Sequence, residues 1–304
     1  RWHSIGCALG TSIDLPVLSQ HVSYRWILPS YYPTVGKSHS LPQTRAKSHM
    51  PAQINMFALL PPSEGKEDGG QPRTKWAPTM GAFGKALGAH RKTLAAALCD
   101  AGGGSATLLG VSGKHLARAQ AANSSLVGSP TLVACERYSG VVWSHLDLPT
   151  LTAAQHSFAR DHIVVVSGLL GAVLGSDPIP DYKLKMSARL AVENTAVQTL
   201  SKLWREPVST AINNFCAGHI VVDVLPQDHR GIFLPSQVQL QGYISVDLVT
   251  KSNGKAGGHD AKAAKGLLVR HLFSTTKNLH STDQILDRIA SFSHQQFKVV
   301  TKVN

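Results

Sequence analysis

Two short apolar runs predict buried β-strands. The first, Phe57–Leu60, ends at Pro61 and Pro62, which cannot continue a strand inside a sheet. The second, Ile163–Val166, consists of β-branched residues that favour extended backbone. We therefore expect one strand that runs into a loop at Pro61, and a second strand buried on both faces.

Further segments alternate between strand and helix patterns. Strands are predicted over His219–Leu225, over Val238–Val249, where apolar and polar residues alternate, and over Phe297–Val303. Helices are predicted over Gly81–Cys99, over Ala196–Phe215 with a break near Pro207, over Asp260–Phe273, and after Ser281, where Ser281 and Gln284 have capping-box spacing. No internal repeat is evident. The mixture predicts an α/β fold of the mixed-sheet α+β kind over residues 56–304.

The composition excludes two classes of protein. With 43% hydrophobic and 16% charged residues among 304, the chain is not intrinsically disordered as a whole. No run of about 18 apolar residues occurs, which excludes an apolar membrane-spanning helix.

The formal net charge is +12, and the stretch Lys251–Asn304 has nine basic and three acidic residues. This excess favours a polyanionic partner such as nucleic acid, although basic patches also occur on ordinary proteins.

Residues 1–55 differ from the rest of the chain. They are rich in Ser, Pro, Tyr and His, carry five basic residues and one acid, and lack sustained apolar periodicity. We interpret them as a poorly ordered leader and Met56 as the candidate start of the native protein. The four cysteines form no C-x-x-C pair, so a reducing, cytoplasmic location is expected.

The loop after the first strand is a candidate catalytic segment. Ser63 and Lys66 have S-x-x-K spacing, and if the loop opened into a helix the lysine amine would lie near the hydroxyl as its base. The neighbouring acids Glu64 and Glu67 would more simply keep Lys66 protonated. A structural turn or an anion-contacting loop is therefore the preferred interpretation of this segment.

A second segment has the pattern of a DNA-binding hairpin. Gly110, Ser112 and Gly113 form a small turn between two stretches of helical composition, and such a turn exposes backbone N–H groups toward a phosphate. Lys114 and Arg118 would add positive charge beside it. The alternative is a plain helix-loop-helix with a glycine turn.

Two other groups of polar residues follow predicted strands. Alternation in Tyr182–Met186 predicts a strand that places Lys183 and Lys185 on one face, with Arg189 slightly beyond; such a face is most often simply solvated. Lys262, Lys265 and Arg270 fall on a predicted helix and would extend a phosphate-binding face. Asp223, Asp228 and His229 offer metal-ligand chemistry, but nothing in their spacing fixes a site, so we predict no metal and no cofactor.

Five separated motifs in order resemble the bacterial peroxide stress protein YaaA family. They are Leu59–Lys66, Arg137–Gly140, Ser167–Gly171, Asp177–Leu190 and Lys265–Arg270, and together they span about Met56 to Val303. The resemblance implies an unusual α/β fold with a basic cleft and a helix-hairpin-helix-like element. It also implies an intracellular protein that helps cells survive hydrogen peroxide by keeping free iron low, and that binds duplex or branched DNA, with no established reaction.

The resemblance also implies which residues contact DNA. The hairpin match falls on Gly110–Lys114, and the cleft candidates carried over by position are Arg137, Tyr138, Lys183, Lys185, Arg189, Lys265 and Arg270. Four positions depart from the family pattern: Gly175 replaces a frequent arginine, Lys185 a glutamate, Ser187 a glycine, and Lys265 an arginine. The lysine at position 265 keeps the positive charge but loses the bidentate fork.

Three functional hypotheses follow from the sequence. The first is a monomeric, non-enzymatic protein that binds the DNA backbone with little base specificity. The second is an enzyme, a hydrolase or nucleotide-handling protein, centred on Ser63, Glu64 and Lys66 with support from Arg137 and Tyr138. The third is direct iron sequestration, which requires clustered His, Asp or Glu ligands.

Overall fold

Parallel strands form the middle of the main sheet, and an antiparallel strand lies at each of its edges. The computed structural model describes residues 53–192, 197–252 and 257–304. The predicted leader lies outside these ranges except for residues 53–55, of which Ile54 is buried and bridges to Leu279. The described residues belong to one compact unit.

The strands, in chain order, are β1 Met56–Leu60, β2 Gln71–Lys75, β3 Pro130–Val133, β4 Ile163–Ser167, β5 Gly171–Leu174, β6 Pro178–Ile179, β7 Arg189–Leu190, β8 Gln198–Thr199, β9 Ile220–Asp223, β10 Gly242–Thr250 and β11 Phe297–Val303. The α-helices are α1 Gly84–Asp100, α2 Ala106–Leu109, α3 Gly113–Ser124, α4 Ala134–Arg137, α5 Val141–Leu146, α6 Ala153–His162, α7 Leu200–Phe215, α8 Gln227–Arg230, α9 Gly258–Phe273 and α10 Thr282–Ala290. A short 3₁₀ helix covers Leu148–Thr150.

The main sheet has the order β11-β10-β9-β1-β4-β5 in the part of the chain that the structure describes. Strand β1 is parallel to both neighbours, so that Leu59 pairs with Val164 on one side and with Asp223 on the other. The chain leaves β1 for β4 on one side and later returns to β9 on the other. Such a reversal opens a crevice beyond the carboxyl ends of β1 and β9, where ligands bind in open α/β sheets.

The apolar runs explain why these strands are central. Every residue of β1, β4 and β9 is buried, as expected for parallel strands that are covered on both faces. Helix α1 packs on α7, and α5 packs on α9. A mixed α/β fold is thus confirmed, including the predicted capping box of Ser281 and Gln284.

Three predicted elements differ from the structure. Helix α7 continues through Pro207, because Trp204, Val208 and Ile212 bury one face and offset the hydrogen bond that proline removes. Strand β10 begins at Gly242 rather than at Val238, because a turn in which the Leu240 N–H donates to the Ser236 carbonyl precedes it.

Residues 182–186 are the third difference, since they are extended but do not form a strand. The side chain of Asn123 bonds both backbone groups of Lys183, at 2.8 Å and 2.9 Å, and so takes the place of a neighbouring strand. The predicted alternation is nevertheless present. Tyr182, Leu184 and Met186 are buried, and Lys183 and Lys185 point to the other side.

A buried arginine links α1 to the chain around β5. Arg91 on α1 donates hydrogen bonds to the carbonyl oxygens of four residues: Pro78, Met80, Leu170 and Ala172. Burial lowers the pKa of its guanidinium to about 10, which leaves it charged at neutral pH. The Arg91 side chain therefore satisfies loop carbonyls that would otherwise be buried without partners.

Candidate functional site

Three adjoining cavities surround the loop that follows β1, in the crevice beyond the carboxyl ends of β1 and β9. The largest, about 750 Å³, lies between this loop, α5, α8 and α9. A second cavity of about 140 Å³ lies between the loop and residues 182–187, and a third of about 330 Å³ lies toward α3. Glu64 lines all three cavities, so the loop is their shared wall.

Ser63 is a buried serine without a hydrogen-bond partner for its hydroxyl. Its relative exposure is 7%, and its Oγ has no partner among the described residues. Gly140 lies directly against this oxygen, because a β-carbon built at Gly140 would collide with Ser63 Oγ. Glycine at position 140 therefore makes room for the Ser63 side chain, which lines both the 140 Å³ and the 750 Å³ cavities.

Lys66 is also buried, with 9% relative exposure. Its Nζ donates to the backbone oxygen of Ser63 at 2.9 Å and lies 4.1 Å from the ring centroid of Tyr182. Burial lowers the pKa of Lys66 to about 7, although the nearby Asp181 carboxylate acts in the opposite direction. The loop does not open into a helix, and the Lys66 ammonium contacts the backbone oxygen of Ser63 instead of Oγ. The alternative S-x-x-K arrangement is therefore not formed.

Behind Lys66 lies a chain of buried hydroxyl groups. The hydroxyl of Tyr182 lies 2.9 Å from that of Tyr138 and 2.7 Å from Ser167 Oγ at the end of β4. Burial raises the pKa of Tyr182 to about 12, so both tyrosines are protonated near neutral pH. These rings form an apolar floor under the Lys66 ammonium and fix its position.

Glu64 binds the two lysines of the extended segment. Its carboxylate lies 2.9 Å from Lys183 Nζ and 3.6 Å from Lys185 Nζ. The hydrogen bond from Lys183 lowers the pKa of Glu64, while partial burial acts the other way. Glu64 acts to raise the pKa of Lys66, as the sequence suggested, but burial of Lys66 outweighs this effect. The direct partners of Glu64 are Lys183 and Lys185, whose charge it partly neutralises.

The hairpin candidate lies beside Lys185. Gly110 ends α2 in the left-handed region with φ 65°, and Gly113 begins α3 with φ 54°. A β-carbon built at Gly110 would lie 2.9 Å from Lys185 Nζ, so the turn and the lysine are in contact range. Ser112, at the N-cap of α3, and Lys114 are exposed.

Arg118, further along α3, is partly neutralised. Its guanidinium forms ion pairs with Asp68 and, at 3.1 Å, with Asp181. About half of the Arg118 side chain remains exposed. The hairpin, Arg118, Lys183 and Lys185 thus lie around the same cavities, but together with three acidic side chains.

Four other predicted contact residues do not line the three cavities. Arg137 has 0% exposure and donates to the backbone oxygens of Glu67 and Gly69, so it supports the loop and does not present a charge to solvent. Arg270 donates to the Leu146 and Asp147 carbonyls. Arg189 donates to the Val197 carbonyl at 3.4 Å. Tyr138 is buried in the hydroxyl chain described above.

Lys262 and Lys265 lie on α9 and line the large cavity. Lys265 donates to the backbone oxygen of Val224 at 2.9 Å, and burial lowers its pKa to about 8. Lys262 is exposed. These two lysines are therefore on the opposite wall of the crevice from the pair held by Glu64.

Of the polar residues at the end of β9 and just after it, Asp223 forms buried structural contacts and His229 lines the candidate site. Asp223 pairs with Arg230 at 3.2 Å and accepts a hydrogen bond from the Tyr243 hydroxyl. His229 lines the same two cavities as Ser63, and its buried Nδ1 has no partner in the described ranges. Burial lowers the pKa of His229 to about 4. Within residues 53–192, 197–252 and 257–304, no group of three His, Cys, Asp or Glu side chains is placed to hold a metal ion.

Sequence reasoning missed that Ser63 and His229 line the same two cavities. The two residues are distant in the chain, and only the adjacency of β1 and β9 brings their loops together. The position of each residue just after a buried strand was the available signal.

A family model described as "Peroxide stress protein YaaA" matches residues 56–302. The chain belongs to the YaaA family. A UPF0246 protein of Streptomyces coelicolor is 30% identical over 224 residues, which are 72% of this chain and 84% of the relative. A UPF0246 protein of Corynebacterium glutamicum is 28% identical over 243 residues, 76% and 90% of the two chains. A third, from Rickettsia rickettsii, is 26% identical over 170 residues, 54% and 64% of the two chains.

The match confirms the resemblance of the five motifs to the YaaA family. The family description associates such proteins with peroxide stress. None of the helices among the described residues is both long and apolar enough to cross a bilayer.

Proposed function

We propose that this YaaA-family protein acts in the cytoplasm, as a monomer, in resistance to hydrogen peroxide. In this role it limits free iron and binds duplex or branched DNA through phosphate contacts with little base specificity. The peroxide role is supported by the family description. The DNA contact is supported by the charges and backbone groups around the hairpin.

The observation that carries the DNA contact is the position of Lys185 beside Gly110. It puts an ammonium group next to a glycine turn that leads into the N-terminus of α3. Free N–H groups in the first turn of a helix bind phosphate oxygens, and lysines add charge without reading base sequence. Lys183, Lys185, Lys114 and Arg118 are the side chains of this surface that can reach a phosphate, with Lys262 and Lys265 across the crevice.

Glu64 provides a test of this surface, because it competes with phosphate for Lys183 and Lys185. Glu64→Gln should strengthen duplex binding, since both lysines then lack their carboxylate partner. Lys183→Gln with Lys185→Gln should weaken binding to all duplexes alike. Electrophoretic mobility shifts at fixed salt measure both effects.

A matched control has the same charge change at a distant edge. Lys298 and Lys302 are exposed on β11, and their replacement by glutamine should leave duplex affinity within about twofold. If the two double variants behave alike, or if Glu64→Gln does not strengthen binding, the surface does not contact DNA.

The iron role needs a cellular experiment. Expression in a bacterium that lacks its own YaaA protein should raise survival in hydrogen peroxide and lower chelatable iron measured by electron paramagnetic resonance. The Lys183→Gln, Lys185→Gln variant then shows whether the DNA surface is needed. Unchanged iron and survival with the natural sequence would end this part of the proposal.

A second candidate function is a hydrolase or nucleotide-handling enzyme at Ser63, Glu64 and Lys66. The observation that favours it is a buried, unpartnered hydroxyl on the same loop as a lysine whose pKa is near 7. A reactive Ser63 should be labelled covalently by a fluorophosphonate probe, and the label should disappear in Ser63→Ala. No labelling of the natural sequence would remove Ser63 as a nucleophile.

A further inference from the structure

The two cavities that share Ser63 have different chemistry. The 140 Å³ cavity is lined by three lysines and two acids, namely Lys66, Lys183, Lys185, Glu64 and Asp228. Its lysines suit an anionic group that displaces Glu64 from Lys183 and Lys185. The 750 Å³ cavity has an apolar wall that includes Val142, Leu248 and Ala261, and its size lies in the range of small-molecule sites. A ligand that fills both needs an anionic end and an apolar, ring-sized body.

Two buried polar atoms without partners belong to residues at the junction of these cavities. Ser63 Oγ and His229 Nδ1 are buried and unpaired in the part of the chain that the structure describes, and both residues line both cavities. An unsatisfied buried polar atom costs about 1–3 kcal/mol, so such atoms point to a missing partner. A hydroxyl and a neutral imidazole together offer a donor and an acceptor to a polar middle section of a ligand.

We propose that the joined cavities bind a nucleoside monophosphate unit. Its phosphate lies between Lys183 and Lys185, its sugar bonds Ser63 and His229, and its base lies in the large cavity against Val142 and Leu248. Planar bases suit an apolar wall, and the phosphate takes the place of Glu64 on the lysines.

Two kinds of molecule contain a nucleoside monophosphate unit that fits these cavities: a free nucleotide, and a DNA strand with an unpaired nucleotide. The inference goes beyond the proposed function, because backbone binding by the hairpin needs neither Ser63 nor His229. The two proposals share only Lys183 and Lys185. The experiment therefore includes a fully paired duplex, whose binding reports on the proposed function alone.

Calorimetric titration of the full chain with dAMP should give saturable binding with one site. Deoxyadenosine and inorganic phosphate should each bind more weakly than dAMP, because each occupies only one of the two cavities. Ser63→Ala should weaken dAMP binding at least about fivefold, as expected for the loss of one hydrogen bond in a buried site. Ser144→Ala, on the exposed side of α5, is the matched control and should leave the affinity unchanged.

A second variant tests the same site in case Ser63→Ala does not fold. His229→Leu removes the other unpaired polar atom without a large change in volume and should weaken dAMP binding by a similar factor. Thermal unfolding of each variant establishes that it is folded. An affinity for dAMP that neither folded variant changes, or no saturable binding up to millimolar dAMP, overturns the inference.

Duplexes distinguish the source of the unit. One duplex contains a single unpaired nucleotide, and the other is fully paired. If the first binds more tightly, and if Ser63→Ala abolishes this difference, the ligand is a nucleotide within DNA. Equal binding of both duplexes with retained dAMP binding identifies the free nucleotide. Salt-sensitive binding of the paired duplex without any dAMP binding leaves the proposed function standing and overturns this inference.

Discussion

The ammonium group of Lys66 lies 4.1 Å from the centre of the Tyr182 ring. The contact is buried, and the ammonium also donates to the backbone oxygen of Ser63. The ring face and one carbonyl replace only part of the water that a lysine normally has, which is why its pKa falls to about 7.

Stability should rise with pH because of Lys66. Its pKa is about 7 in the folded chain and near 10.5 when exposed, so between these values the unfolded chain binds more protons. The free energy of unfolding should increase by roughly 2–3 kcal/mol from pH 7 to pH 9.5 on this account. Lys66→Met should remove that part of the increase.

Urea unfolding at the two pH values measures the effect, taken as the difference between the natural sequence and the variant. The pKa of Lys265 is also lowered, but Lys265 is present in both chains, so its contribution cancels in this difference. Lys85→Met on the exposed face of α1 is the control, and its pH dependence should match the natural sequence. A Lys66→Met chain with the full increase would contradict the burial of a charged Lys66.

His229 should make the chain sensitive to acid. Burial lowers its pKa to about 4 from 6.5, so the unfolded chain takes up a proton in this window before the folded chain does. The associated loss of stability begins below pH 6.5 and is nearly complete by pH 4, with a total of roughly 2–3 kcal/mol. His229→Leu should unfold with a shallower dependence on pH between 6.5 and 4. Identical curves for the two chains would show that the imidazole is not desolvated.

Gly140 and Ser63 should be energetically coupled. A β-carbon at Gly140 collides with Ser63 Oγ, although the backbone at Gly140, with φ −80°, accepts alanine. Gly140→Ala alone should destabilise the chain by about 1–3 kcal/mol. In a Ser63→Ala background the same change should cost less, because the colliding oxygen is gone. A double-mutant cycle by chemical denaturation measures the coupling, and additive effects would refute the contact.

Arg91 should not tolerate lysine. A single ammonium cannot satisfy the four carbonyls that the guanidinium reaches from α1. Arg91→Lys should lower stability by about 3 kcal/mol or more, observed as a lower thermal midpoint. Arg73→Lys on exposed β2 is the control, with an expected change within about 0.5 kcal/mol.

Duplex binding should depend steeply on salt. With about four to six phosphates contacted, the logarithm of the affinity should fall with the logarithm of the salt concentration at a slope of roughly −4 to −5. Lys183→Gln with Lys185→Gln should make the slope shallower by about two. A salt series of mobility shifts measures both slopes. An affinity that does not change with salt would exclude backbone contacts.

The sequence predicts the sheet better than the site. Strands β1 and β4 follow directly from their apolar runs, and the capping box marks the start of α10. Residues 182–186 have the same alternation as a strand, but the side chain of Asn123, distant in sequence, satisfies the Lys183 backbone instead. Long-range pairing of this kind leaves no local pattern.

The site depends on similar long-range relations. The sequence spacing suggested a contact between the Lys66 amine and the Ser63 hydroxyl. In the structure, the Lys66 amine contacts the backbone oxygen of Ser63 and the ring of Tyr182. The family resemblance placed Arg137 among the cleft cations, yet its partners are carbonyls of the neighbouring loop. The order of the parallel strands, which places His229 and Ser63 around the same cavities, is set by the whole sheet.

The pairing of Glu64 with Lys183 and Lys185 also affects which anions can bind these two lysines, because an anion must replace the carboxylate. A chloride or a carboxylate brings one negative charge, no more than Glu64 already supplies from a tethered position at 2.9 Å and 3.6 Å. A phosphate monoester brings nearly two charges and three acceptor oxygens. We expect this carboxylate to disfavour single monovalent ions such as chloride, and to yield to a dianion or to a polyanion whose neighbouring phosphates also reach the other lysines of the crevice.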